Sequence, residues 1–223
     1  MSGVYLYALL GAPPTCEAGV GVCAERLRAV VVGGVVALVG DVAEVPAPSA
    51  VTLRAQDGVL RRLATVVDAV LPVRFGTLMA DDAALSAALA PRTADLARAL
   101  GRVSGCEQMT LRVWGEVTAA APALPLEGGP GTRYLAGRRA AHERGRRVPE
   151  LEPARRRLGD LVREERAERH DRPPLLATVQ HLVPRGSSAR YIDAIDTARD
   201  GLRPWRVSVT GPWPAYAFAE EAA

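Results

Sequence analysis

Apolar positions run unbroken from Val4 to Leu10 (VYLYALL) and stop at Gly11-Ala12-Pro13-Pro14. A β-branched and aromatic run of this length predicts a buried strand followed by a loop. Two further runs, Leu27 to Val32 and Val35 to Val39, are separated by Gly33-Gly34. That pair most easily takes the positive φ angles of a two-residue turn, so the segment predicts a β-hairpin. After Pro46 and Pro48 the period changes. Val59, Leu60, Leu63, Val66, Val67 and Val70 recur at helical spacing with Arg61, Arg62 and Asp68 between them, predicting an amphipathic helix that ends before Pro72. Val73 to Met79 predicts a short strand. Asp81 or Asp82 is placed to cap a helix carrying Leu85 and Leu89, and Pro91 opens another through Leu96 and Leu100 to Gly101.

In the second half, Met109, Leu111, Val113 and Val117 alternate with Thr110, Arg112 and Trp114, so Glu107 to Val117 predicts a strand with one buried face. A loop follows with Pro122, Pro125, Gly128, Gly129, Pro130 and Gly131. From Arg133 to about His170 the chain is charged and predicts helix, interrupted at Gly145, Pro149 and Pro153. Leu175 to Val183 predicts a strand, Ser188 to Arg199 a helix, and Arg206 to Thr210 a last strand before Gly211-Pro212. Strand, long helix, strand, helix, strand predicts a compact α+β sandwich related to the ferredoxin-like arrangement. No internal repeat of fixed period is present.

Composition narrows the function classes. With 223 residues, the chain is long enough for one or two domains that need no disulfide or metal to hold a core. It has no lysine, so arginine abundance is partly compositional bias. The net charge of +3 is local. Thirteen arginines against eight acidic residues fall between Arg133 and Arg172, leaving the remainder slightly acidic, which argues against a nucleic-acid face. Cys16, Cys23 and Cys106 lack the spacing of a disulfide framework or a zinc ribbon, as expected of a reduced cytoplasmic protein. The first apolar run is too short to span a bilayer and no basic residue precedes it, so neither an export signal nor a membrane helix is expected.

Candidate chemistry is sparse. Gly19-Val20-Gly21-Val22-Cys23-Ala24 satisfies the G-x-G-x-x-A fingerprint of a dinucleotide loop, with Asp41 about 20 residues on. Too few residues separate it from the hairpin to hold a crossover helix, so nucleotide binding stands as the alternative reading only. His142, His170 and His181 are scattered and assemble no metal site, and His181 in its strand could point either way. Glu164 and Glu165 among Arg163, Arg166 and Arg169 predict salt bridging on a helix surface, and Ser187 and Ser188 a helix N-cap. Arg146-Arg147 and Arg155-Arg156-Arg157 lack the interleaved aromatics of a nucleic-acid stripe. Two stretches concentrate rare residues. Leu71-Pro72-Val73-Arg74-Phe75-Gly76-Thr77 holds one of the two phenylalanines, and Thr210-Gly211-Pro212-Trp213-Pro214-Ala215-Tyr216-Ala217-Phe218 holds the other with a Trp and a Tyr. Such aromatics on a stiffened segment either pin the terminus or form an adhesive surface, making Arg74, Phe75, Trp213 and Tyr216 candidate partner-binding residues.

These blocks, with VYLYALL, GGVVALVGDV, GTRYLAGRR and LLATVQHLVPR in the same order, resemble the gas vesicle protein F/L family (GvpF/GvpL) across essentially the full chain. The resemblance implies two α+β domains, expected at 1–101 and 102–223, the second a modified ferredoxin-like sandwich with a long charged helix. It implies no known catalytic activity, and the residues themselves lead to the expectation of no cofactor and no nucleic-acid or membrane partner. It also implies a location at the gas vesicle and a role in its nucleation or growth, with the hydrophobic shell protein GvpA and other gas vesicle accessory proteins as candidate partners. Gln56 stands where the family commonly has a histidine, and Ala215 where it often has a proline.

Overall fold

The computed structural model describes residues 3–116 and 148–220. The chain divides into two compact units, Met1–Gln108 with Trp213–Ala223, and Met109–Pro212. A boundary at 101/102 assigns everything after it to the second domain. Here the tail instead returns to the first unit, because its aromatic side chains pack there.

The first unit is built on a sheet of β1 (Gly3–Leu10), β2 (Leu27–Val32), β3 (Val35–Val42), β4 (Val70–Pro72) and β5 (Leu78–Met79). The order is β2-β3-β1-β4, with β5 also on β1. All eight residues of β1 are buried, as its unbroken apolar sequence requires. Tyr5, Tyr7, Leu10 and Leu38 pack with Val59, Leu60 and Leu63 of α1 (Ala50–Val66). α2 (Asp82–Leu89) and α3 (Thr93–Val103) bury Leu85, Leu89, Leu96 and Leu100. The hairpin is as expected. Val32 faces Val35 across Gly33 and Gly34, whose φ angles of 54° and 85° are those of a type I′ turn.

Three boundaries differ from the periodicity. α1 begins nine residues before Val59, because Ser49 and Thr52 form a reciprocal capping box that starts the helix on a segment with little apolar period. It ends at Val66, and Val70–Pro72 extends as β4, since Pro72 holds the residue before it out of the helical region and Leu9 pairs with Leu71. Val73 to Met79 is not one strand. The Thr77 amide bonds the Arg74 carbonyl, turning the chain through Gly76 (φ 89°) before β5.

The second unit has β6 (Cys106–Trp114), α4 (Glu152–Leu158), β7 (Glu164–Arg169), β8 (Leu175–Pro184), α5 (Ser188–Ala198) and β9 (Arg206–Trp213). The strand order is β7-β8-β6-β9. Met109, Leu111, Val113, Ala154, Leu158, Val179, Tyr191 and Ile195 form its core. The unexpected element is β7. Glu164–Arg169 (EERAER) pairs antiparallel with β8 where a charged helix is expected, completing the β-α-β-β-α-β order of the ferredoxin-like arrangement. Its charges are admissible on an edge strand, where they deter pairing with other chains. Residues 133–147 of the expected helix, with His142, Arg146 and Arg147, lie outside the described residues.

Candidate partner-binding site

The four residues singled out by sequence all fall in the first unit, where α1 receives both stretches at successive positions, Gln56 and Asp57. Arg74 is exposed at the turn after β4, and Phe75 is half-buried, its ring edge-on to Tyr5 at 6.2 Å. The Tyr5 hydroxyl donates to Gln56 Oε1 at 2.6 Å and accepts the Gly76 amide at 2.9 Å. Gln56 Nε2 donates in turn to the Val73 carbonyl at 3.2 Å. The turn bearing Arg74 and Phe75 is thereby fixed to β1 and α1 through buried, mutually satisfied groups.

The tail is held one residue further along the helix. Arg61 Nε donates to Asp57 Oδ2 at 2.6 Å, and the Arg61 guanidinium lies 4.3 Å from the centre of the Trp213 ring. The Tyr216 hydroxyl donates to Asp57 Oδ1 at 2.6 Å. Burial and the Asp57 carboxylate together push that hydroxyl's pKa well above its ordinary value. Phe218 is fully buried, and the Ala217 amide donates to Gln108 Oε1 at 2.8 Å. Trp213 and Tyr216 thus form a clamp on α1. The pair Asp57 and Arg61 was legible as an i, i+4 ion pair, but nothing in the sequence names its aromatic partners.

The G-x-G-x-x-A segment has another use. Gly19 Cα enters with φ 80°, the Gly21 amide bonds the Glu25 carbonyl, and the chain runs into β2, so no helix N-terminus faces the loop. Glu25 fills its centre, accepting from the Tyr7 hydroxyl and from the Cys23 amide at 2.8 Å, while Tyr7 accepts the Val22 amide at 2.8 Å. A Cβ on Gly21 would collide with the Glu25 carboxylate and the Tyr7 hydroxyl, which accounts for the glycine without a ligand. Asp41 is engaged by Arg28 at 2.8 and 3.1 Å, so it is not free for a ribose.

A polar cluster lies inside the second unit. Glu165 accepts from Arg155 at 2.6 and 3.1 Å and pairs with His181 Nε2 at 2.9 Å, while His181 Nδ1 meets the Tyr191 hydroxyl at 2.6 Å. Burial alone raises the Glu165 pKa, but the bonds from His181 and Arg155 outweigh it and hold the carboxyl at about 2. Alternation along β7, rather than helical spacing, separates Glu164 from Glu165 and turns Glu165 toward His181. His181 is buried, and His170, where the charged helix is expected to end, instead follows β7 and bonds Thr178 Oγ1 at 2.9 Å. Ser187 takes the N-cap position of α5, but its hydroxyl bonds the Pro184 carbonyl. Among the described residues no group of His, Cys, Asp and Glu is placed to hold a metal ion, and no helix is long and apolar enough to cross a membrane.

The family model described as "Gas vesicle synthesis protein GvpL/GvpF" matches residues 3–220. The chain belongs to the GvpL/GvpF family. A relative, gas vesicle protein L of Streptomyces sp. (strain CB03234), is 31% identical over 186 residues, covering 74% of this chain and 68% of that protein. In fold, the chain is similar to the crystal structure of GvpF from Anabaena sp. PCC7120 (TM-score 0.75, 15% identity, covering 99% of this chain and 97% of that one). It is equally similar to GvpF from Microcystis aeruginosa (TM-score 0.75, 14% identity, covering 99% and 100%). Within this GvpL/GvpF chain, Gln56 bridges the Tyr5 hydroxyl and the Val73 carbonyl by accepting with one atom and donating with another, as the two ring nitrogens of a histidine also do. Ala215 is buried.

Proposed function

We propose that this chain is a non-enzymatic accessory protein of gas vesicle assembly that binds the hydrophobic shell protein GvpA and assists vesicle nucleation or growth. The observation that supports this is the distribution of exposed apolar side chains. Val20, Val31, Val45, Val51, Leu53 and Tyr216 all belong to the first unit, and only Ile192 to the second, among the described residues. Exposed apolar side chains are thus concentrated in the first unit, which is where an apolar contact is proposed. Arg74, Phe75 and the clamped Trp213 and Tyr216 belong to the same unit and are proposed as part of that contact. A polymerising shell subunit must be kept from premature self-association, and covering its apolar surface does this without chemistry.

The test is co-expression of the full chain with tagged GvpA in the absence of other accessory proteins. A complex that survives high salt is expected, because apolar contact is not screened by ions. No recovery of the chain with GvpA under those conditions overturns the reading.

A further inference from the structure

The first sheet ends on a strand whose open side carries little protection. Among the described residues β2 is the terminal strand of the sheet and pairs with β3 alone. In a two-residue hairpin the flanking residues, Val32 and Val35, exchange hydrogen bonds, so Val30 and Arg28 also bond inward while Val31, Ala29 and Leu27 present N–H and C=O outward. The structure tests this parity at one rung, where the Leu27 amide donates outward to the Gly19 carbonyl at 3.2 Å. A loop therefore occupies the first outward rung. The next two, at Ala29 and Val31, face away from the sheet, and both residues are exposed, Val31 by 64%.

Other sheet edges are defended. In β7 every residue but Ala167 is charged, β4 is three residues long and closes on Pro72, and β9 ends through Gly211 and Pro212. β2 (LRAVVV) has a single charge, Arg28, and it is committed to Asp41 of β3 and Asp82 of α2, each bonded at 2.8 Å. Beside the open rungs is a groove of roughly 590 Å³ lined by Pro13, Val20, Leu27, Ala29 and Leu38, with Glu17 and Arg26, paired to each other, and Arg28 also on its wall. Leu38 is directly opposite Ala29, so the groove adjoins the rung at Ala29, where a side chain of an added strand would project.

We propose that the outer edge of β2 captures an extended, uncharged segment of its partner by strand addition. Main-chain bonds form at Ala29 and Val31, and an apolar side chain of the incoming strand beside Ala29 settles into the groove. This rests on the preceding reading, which makes the partner the shell protein, and names the place and the manner of contact.

The experiment compares wild type with Val31→Pro and Val31→Lys in co-expression with tagged GvpA. Proline at 31 removes an outward N–H and leaves the β2–β3 ladder intact, because that amide makes no bond to β3. Lysine keeps the amide but adds the charge that natural edges use against pairing. Recovery of the chain should fall about tenfold or more with either variant, while the thermal midpoint stays within a few degrees of wild type. Amide exchange at Ala29 and Val31 should slow in the wild-type complex. A wild-type complex that forms, with undiminished recovery of both variants or unchanged exchange at these amides, overturns the edge and leaves the shell-binding reading standing. Absence of any wild-type complex overturns both. A wild-type dimer that Val31→Pro makes monomeric, with GvpA recovery unchanged, assigns the edge to a second copy of the chain and also overturns the proposal.

Discussion

The Tyr216 hydroxyl rests on the Asp57 carboxylate at 2.6 Å across 159 positions of sequence. The same carboxylate holds Arg61, and Arg61 covers Trp213, so three side chains close the tail onto one helix face. Tyr216→Phe deletes a hydrogen bond to a charged acceptor, worth about 1 kcal/mol at this partly exposed site. A fall of a few degrees in the thermal midpoint is expected, with an unchanged far-ultraviolet spectrum. No shift would mean that the bond contributes nothing to the tail's attachment.

Trp213→Ala removes the surface under Arg61 but leaves Phe218 buried, so the first unit should keep its fold. Recovery with tagged GvpA should drop, because the tail then no longer presents Tyr216 and its neighbours in one position. Circular dichroism and pull-down together decide this. Loss of fold would make Trp213 a core residue alone, and full binding with full fold would remove it from the contact.

Glu165 gives the second unit a defined acid sensitivity. Its carboxyl titrates at about 2 in the folded protein against an ordinary value of 4.5, so the folded form binds the proton less readily than the unfolded one. The stability this supplies is fully present above pH 4.5 and is lost as pH falls from there towards 2, on the order of 3 kcal/mol in total. Glu165→Gln should destabilise at neutral pH, since Arg155 and His181 lose a charged partner, and should flatten the decline below pH 4.5. Melts of both proteins between pH 2 and 7 measure it. Parallel profiles would show that Glu165 does not carry the acid response.

The glycine loop closes on Glu25 and Tyr7 rather than on a phosphate. NAD(P) or ATP at millimolar concentration should leave the thermal midpoint unmoved, whereas a ligand at 100 times its Kd would add about 2.7 kcal/mol. Gly40→Ala should destabilise without any nucleotide present, because a Cβ there would stand 2.6 Å from Glu25 Cγ. A nucleotide-dependent rise in the midpoint would restore the loop as a binding site.

Much of the fold was legible where one physical rule governed a segment. VYLYALL reads as a strand because β1 is buried throughout, and Gly33-Gly34 reads as a turn because only residues tolerant of positive φ serve there. β7 was hidden because its residues are chosen for an edge, where charge replaces the apolar alternation that marks most strands. The start of α1 was hidden because Ser49 and Thr52 set it through backbone caps, not through apolar period. At the site, Arg74, Phe75, Trp213 and Tyr216 stood out as rare residue types. Their partners Tyr5, Gln56, Asp57 and Arg61 did not, since only the fold brings positions so distant in sequence together.

The first unit contains both Met1–Gln108 and Trp213–Ala223. During synthesis its sheet and helices emerge long before the residues that latch them, and residues 109–212 must be translated in between, on the order of ten seconds at typical rates of elongation. Until Trp213 and Tyr216 leave the ribosome, Asp57 and Arg61 lack these two partners, so residues made well after the body of the first unit act as a timer for its completion.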